Sequence, residues 1–281
     1  MHMIKRIFIL AAALLMSLPL LQAKGDEGSE NLKVMSYNIR LGSGKDGTNS
    51  WALRYTATEE MLKDQKPDVF GVQEALDYQV HYIEDMCGYE SVGVGREDGK
   101  KEGEHMSIFW NKKTVSMLKW GTFWLSETPQ KPSKGWDAAC FRTATWALMK
   151  DKKTGKKFYF VNTHLDHEGK EAQKNGLKLI VEKIAEMNPE GLPMVLTGDF
   201  NIEPSNPALA DLDARMQSTR KIAEKTDDLT TYNGWGKSSM MIDYIYVSGF
   251  SSCPEYQTVT KRYADRKFIS DHYPICATLL F

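Results

Sequence analysis

The run Val69-Phe-Gly-Val-Gln-Glu74 stays apolar or small until its last two positions, and runs of this kind recur along the chain. An alternating segment, Leu32-Lys-Val-Met-Ser-Tyr-Asn38-Ile, opens the series. Further strands are expected at His105–Trp110, Thr114–Leu125, Thr143–Met149, Phe158–Thr163, Pro193–Thr197, Met241–Val247 and Ile275–Leu280. A strand that is apolar on consecutive positions needs cover on both faces, so the pattern calls for buried sheets with helices outside. Helices are expected at Tyr55–Gln65, stopped by Pro67, at Leu76–Met86 and at Glu171–Met187. In the last of these Leu177, Ile180, Val181, Ile184 and Met187 share one face. Between two of the strands, Asp151-Lys-Lys-Thr-Gly155-Lys reads as a hairpin turn whose lysines are solvated.

The first residues follow a different rule. Lys5 and Arg6 precede an apolar run from Ile7 to Leu21, broken by Ser17 and Pro19, and Gln22-Ala23 leads into the polar stretch Lys24–Asn31. That order describes a secretory signal over residues 1–23, cut after Ala23, and export to the periplasm or outside the cell. The run falls short of the about 20 apolar residues that span a bilayer, so a membrane-anchoring helix is the weaker reading. No cysteine lies near the cut to carry a lipid anchor. Residues 24–281 are expected to form a single domain, with neither linker nor repeat, and to act as a monomer.

Polar residues collect where the strands run out. Asn38, Glu74, His164, Asp199, Asn201, Asp271 and His272 all sit at or just past the ends of apolar runs. One such residue is ordinarily a loop residue, but several in one domain point to a shared rim, where sites are commonly built. Glu74, Asp271 and Asn38 offer hard oxygen ligands of the kind magnesium or calcium takes. The histidines and the remaining carboxylate offer proton transfer near neutral pH. With no sulfur ligand and no close histidine pair in the set, zinc is disfavoured. Oxygen-bound metal beside His and Asp suits attack of water on phosphorus.

Taken in order, Ser36-Tyr-Asn38-Ile, Gln73-Glu74, Asn162-Thr-His164, Gly198-Asp199-Phe-Asn201, Ile242-Asp243-Tyr-Ile and Ser270-Asp271-His272-Tyr-Pro resemble the motifs of the endonuclease/exonuclease/phosphatase superfamily. That group includes deoxyribonuclease I, inositol-polyphosphate 5-phosphatases and neutral sphingomyelinases. Gly135-Trp136-Asp137, Arg142 and Thr145-Trp146-Ala147 further resemble its secreted bacterial members. The resemblance implies a deoxyribonuclease I-like α/β fold, a four-layer sandwich of two packed mixed sheets with helices outside. It implies Glu74 as the main metal ligand, with Asn38 and Asp271 near the metal, which is magnesium or, alternatively, manganese. It gives Asp199 the attacking water, with Asn201 holding that water or a phosphate oxygen. It places His272 on the scissile phosphate, oriented by Asp243, and His164 on the phosphate or the leaving group.

The substrate is then a phosphoester, and charge bears on which one. Removing Lys5 and Arg6 from the 36 basic residues leaves 34, against 37 acidic ones. A chain so balanced is poorly suited to neutralising a long run of backbone phosphates. A small or headgroup-sized phosphoester is therefore favoured over DNA or RNA, and a non-catalytic binding protein is the remoter alternative. Arg142 and Trp136 are candidates for holding the substrate, with an Arg142–Asp137 pair as the structural alternative. Glu104 and His105 either flank the site or lie on the surface. The four cysteines, Cys87, Cys140, Cys253 and Cys276, fit no zinc pattern; free thiols and a Cys253–Cys276 bridge remain equal expectations.

Overall fold

The computed structural model describes residues 31–281; the signal segment and its cut after Ala23 lie outside the described residues. Alternation along the strands sorts the apolar residues into three cores. The first sheet contains β1 (Asn31–Asn38), β2 (Val69–Gln73), β3 (Glu90–Val92), β4 (Ile108–Trp110), β11 (Ser252–Thr258) and β12 (Ile275–Leu280). The second contains β5 (Val115–Trp124), β6 (Thr143–Asp151), β7 (Lys157–His164), β8 (Met194–Asp199), β9 (Gln217–Ser218) and β10 (Asp243–Ser248). The order across the first is β11-β12-β1-β2-β4-β3 and across the second β5-β6-β7-β8-β10-β9. Both sheets are mixed, since β1–β2 and β7–β8 run parallel and the other pairs antiparallel.

Leu32, Val34, Val69, Ile108, Phe158, Phe160, Val195 and Ile245 meet between the sheets. Met35, Tyr37, Phe70 and Val72 face the other way, against α1 (Trp51–Gln65) and α2 (Asp77–Cys87). Val161, Leu196, Tyr244 and Tyr246 pack likewise against α3 (Lys170–Met187). The result is the four-layer sandwich with both sheets covered on both faces, as their consecutive apolar positions require. No helix among the described residues is long and apolar enough to cross a membrane.

Along the inter-sheet face the residue type changes in a regular direction. On β7 the inward positions run Phe158, Phe160, Asn162, His164; on β8, Val195, Thr197, Asp199; on β1, Leu32, Val34, Ser36, Asn38. Each strand is thus apolar at one end, neutral polar in the middle and functional at the other. The middle layer is a buried hydrogen-bonded bridge between the sheets. Asn162 Nδ2 donates to Val72 O (2.7 Å) and Ser107 O (3.1 Å), while its Oδ1 accepts from Gln73 Nε2 (2.7 Å) and Thr197 Oγ1 (3.1 Å). Gln73 also reaches Ser36 Oγ at 3.2 Å. Gly71 lies opposite, and a Cβ there would come within 2.3 Å of Asn162 Oδ1, so the close approach of the sheets at this point requires glycine.

The four cysteines are free thiols. Cys276 on β12 pairs with Gln257 of β11, several residues along that strand from Cys253, so the two do not meet as a Cys253–Cys276 bridge would require.

Candidate active site

Above the bridge the gap between the sheets opens into a cleft of about 520 Å³, lined by Glu74, His164, Asp199, Asn201, Asp271 and His272 among others. Neighbouring strand ends deliver them, with Asp199 directly opposite both Asp243 and His164 in register. Backbone conformation aims the rest. Glu74 (φ 64°), Arg40 (φ 64°) and Asn201 (φ 52°) are non-glycine residues in the left-handed region, each just past a strand end. Such strain, about 1–2 kcal/mol per residue, persists only where the surroundings impose it. Arg54 of α1, fully buried, supplies part of that constraint. Its guanidinium donates to Ile39 O, to Arg40 O (2.8 Å) and to Ile269 O (3.2 Å), tying the Asn38 and Asp271 loops together.

Two linked groups result. In the first, Asp243 Oδ2 lies 2.8 Å from His272 Nδ1, and His272 Nε2 lies 3.6 Å from Asp199 Oδ2. Burial works against charge on His272, but the Asp243 and Asp199 carboxylates outweigh it and raise its pKa well above the usual histidine value. Asp199 is raised too, by burial and by Asp243, against the opposing pull of His272 and of hydrogen bonds from Asn201 and Asn38. In the second group, Asn38 Nδ2 donates to Glu74 Oε1 and to Asp199 Oδ2, both at 3.0 Å, and its Oδ1 accepts from Arg40 N. Leu41 N donates to Glu74 Oε2 at 2.9 Å. Burial pushes Glu74 up, but these bonds and the charges of His272 and Arg40 hold it below its ordinary value.

His164 behaves differently. Asn201 Nδ2 lies 3.0 Å from its Nε2, an arrangement that places the ring proton on Nδ1. Burial and the charges of Arg142, Arg96 and His272 hold it neutral, well below the usual histidine pKa. Asn201 N also donates to Asp199 Oδ1 at 2.9 Å, so one left-handed residue fixes both neighbours.

The donor set fits a hard divalent cation. Glu74 Oε2 and Asp271 Oδ2 lie 3.8 Å and 3.7 Å from Arg40 Nη1, so the two carboxylates face one guanidinium on the cleft wall. One ligand atom each from Glu74, His164 and Asp199 lie within 4.8 Å of one another. Oxygens dominate, as magnesium or manganese prefers. Asn38, by contrast, turns its amide nitrogen toward the carboxylates and so organises them through donation.

Of the two substrate-binding candidates, Arg142 lines the cleft and Trp136 does not. Arg142 pairs with Asp166 (Nε–Oδ2 3.2 Å) and lies 2.9 Å from His167 Nδ1, in place of the Asp137 partner that sequence proximity offers. Asp137 instead accepts from the first N–H groups of α3, at Glu171 and Ala172. Glu104 enters the cleft, whereas His105 is buried beside it and forms bridges to Ala75 and Gly95. Arg40, Arg96, Lys170 and Tyr232, whose ring centroid is 4.8 Å from that of His272, also line the site and escape the sequence reading. Arg40 alone carried a signal, as the cation two residues beyond Asn38.

The chain matches the Endonuclease/Exonuclease/phosphatase family over residues 35–272. An endonuclease/exonuclease/phosphatase family protein from Bacteroides thetaiotaomicron has a similar structure, with TM-score 0.84 and 34% identity over 89% of this chain and 98% of that one. The mannosyl-6-phosphatase of Bacteroides thetaiotaomicron VPI-5482 gives TM-score 0.84 and 35% identity over 89% and 100%. By sequence, sphingomyelinase C 2 of Leptospira interrogans is 23% identical over 87% of this chain, which spans 45% of that longer protein. The protein therefore belongs to the endonuclease/exonuclease/phosphatase family and is a metal-dependent phosphoester hydrolase.

Proposed function

We propose that the protein is an exported, monomeric, magnesium-dependent hydrolase of a small or headgroup-sized phosphoester. The observation that carries this reading is the convergence of the Asp243–His272–Asp199 chain and the Glu74–Asp271 carboxylates on one cleft of bounded size. The names of two relatives, a mannosyl-6-phosphatase and a sphingomyelinase, support a small ester over a polymer. Glu74, with Asp271 and the Asn38 carboxamide beside it, would hold the cation, which would supply positive charge to offset that growing on the phosphate oxygens. Asp199, raised in pKa and close to both histidines, takes the proton of the attacking water as its oxygen bonds to phosphorus. Asn201 holds that water or a phosphate oxygen. His272, charged and oriented by Asp243, donates to a second phosphate oxygen, and His164 faces the departing oxygen.

The test is turnover of hexose phosphates, inositol phosphates, sphingomyelin, aryl phosphates, plasmid DNA and RNA by one preparation with magnesium, manganese or calcium. Small esters should be cleaved, chelator should abolish the activity, and magnesium or manganese should restore it. Full activity in excess chelator refutes the metal role. Efficient, salt-sensitive cleavage of DNA or RNA with none of the small esters refutes the substrate class.

A further inference from the structure

The Asp243–His272 pair joins residues from different sheets. Asp243 opens β10 of the second sheet, and His272 stands just before β12 of the first. The two strands are not neighbours in either sheet, so their own ladders do not fix the distance between these side chains. The segment Thr231–Gly234 runs between them. Tyr232 forms one antiparallel bridge with Met240 and another with His272. On the β10 side, Thr231 N donates to Met240 O at 2.9 Å and Met240 N donates to Tyr232 O at 3.2 Å. On the β12 side, Tyr273 N donates to Thr231 O at 2.7 Å, while Asn233 N and Gly234 N donate to Asp271 O at 2.8 and 3.0 Å.

Thr231 holds both partners of the pair. Its Oγ1 accepts from Ile242 N at 3.1 Å and from Asp243 N at 3.0 Å, and its carbonyl accepts from the residue that follows His272. Thr231, Ile242 and Asp243 are all buried, so these N–H groups depend on the hydroxyl and not on bulk water. The two lone pairs of one hydroxyl match the two donors. Valine has the shape of threonine but no acceptor, whereas serine keeps the acceptor. The bond at stake is sensitive to placement. His272 Nδ1 lies 2.8 Å from Asp243 Oδ2. A displacement on the order of 0.5 Å would carry it past hydrogen-bond range. Tyr232 packs its ring against the imidazole, with centroids 4.8 Å apart, so the same segment also limits how His272 can turn.

We infer that Thr231 is a positioning residue for the reaction: its hydroxyl and carbonyl hold the start of β10 and the His272 turn at the spacing the Asp243–His272 hydrogen bond needs. Thr231 is not among the residues that line the cleft, and it acts through the pair. The inference rests on the roles given above to Asp243 and His272. Misplacing a reacting group by about 1 Å can cost about a hundredfold in rate. The other side chains assigned to the phosphate, His164 and Asn201, are delivered by β7 and β8. Loss of the hydroxyl should therefore appear in kcat and leave KM nearly unchanged.

The experiment reads the hydrogen bond itself as well as turnover. In protein kept metal-free by chelator, the His272 Nδ1 proton should give a far-downfield proton NMR resonance, assigned by its absence in His272→Ala. Thr231→Val should remove that resonance or move it upfield. It should also lower kcat for p-nitrophenyl phosphate with magnesium about tenfold or more, with KM changed less than about twofold. Thr231→Ser should keep the resonance and at least about half of kcat. In an Asp243→Ala background, Thr231→Val should cost less than about twofold further, because the pair it positions is already gone. If the valine variant does not fold, Thr231→Cys, similar in size but with only a weak sulfur acceptor, takes its place with the same outcomes expected. An unchanged resonance and kcat without the hydroxyl, a full loss in Thr231→Ser, or a loss that adds in full to that of Asp243→Ala overturns the inference. The proposed function fails on a different result: no small ester turned over by the unmodified protein while the resonance still depends on Thr231.

Discussion

Replacing Asn162 by Asp tests whether the polar bridge between the sheets supports the site. The carboxylate has the same shape and keeps one oxygen for Gln73 Nε2 and Thr197 Oγ1, but it sets its other oxygen against Val72 O and Ser107 O. Asn162 is fully buried, so an ionised Asp there has no solvent and no donor for its second oxygen, and it takes up a proton instead. Holding a carboxyl of ordinary pKa about 3.9 protonated at about pH 7 costs about 4 kcal/mol. One of the two donated bonds stays lost, adding about 1 kcal/mol. At about pH 5 the protonation cost falls to about 1.5 kcal/mol. The sign follows from linkage. The variant's folded pKa is raised, so its penalty is absent below the unfolded pKa and grows as pH rises toward the folded one. Urea denaturation of both proteins should therefore show a deficit of about 5 kcal/mol near pH 7 that shrinks by about 2.7 kcal/mol near pH 5. Asn162→Leu, which loses all four bonds but introduces no titrating group, should show a deficit of about 4 kcal/mol that is flat in pH. A deficit for the Asp variant below about 1.5 kcal/mol near pH 7, or one equal at both pH values, refutes the account.

Asp243→Ala and His272→Ala should each lower kcat on the order of a hundredfold or more, and the double variant should be little worse than the poorer single; additive losses would show that the 2.8 Å pair does not act as a unit. Lys66, exposed and left-handed at φ 49° where α1 ends, should give a protein about 1 kcal/mol more stable when replaced by Gly, read as a raised Tm, and an unchanged or lowered Tm counts against the strain. Burial pushes Asp166 up, but backbone N–H groups of Gly169, Ala139 and Glu168, with Arg142, hold its carboxyl well below the usual range. Its contribution is present above the unfolded pKa and lost as pH falls below about 4, so Asp166→Asn should flatten that part of the stability profile; parallel profiles would exclude Asp166 as a source of acid lability.

Much of the site is legible in the sequence because the strands announce their own ends. Where inward positions change from Phe158 and Phe160 to Asn162 and His164, or from Val195 to Thr197 and Asp199, polarity marks the approach to the cleft. Strand β11 is not legible, since Pro254 and the irregular register between Ser252 and Glu255 suit only an edge strand. The three-residue β3 carries too short a pattern to show alternation. Arg142 shows the limit for side chains. Asp137 and Asp166 are both available carboxylates, and which one an arginine takes depends on where a helix begins. Arg96 and Lys170 reach the cleft through tertiary placement alone, and no local period signals it.

The antiparallel seam that sets Asn31 opposite Leu280 also fixes when activity can appear. The second sheet is drawn from one continuous stretch, 115–248, so its contacts are more local and are expected to form first. The first sheet is split around it, and its central pairing of β1 with β12 closes the longest loop in the described chain. Asp271 and His272 sit just before β12 and are positioned only as that loop closes. Hydrolytic competence is thus expected to be acquired last in folding. After dilution from denaturant, recovery of turnover reports the joining of the two chain ends, while far-ultraviolet signal from the second sheet returns ahead of it.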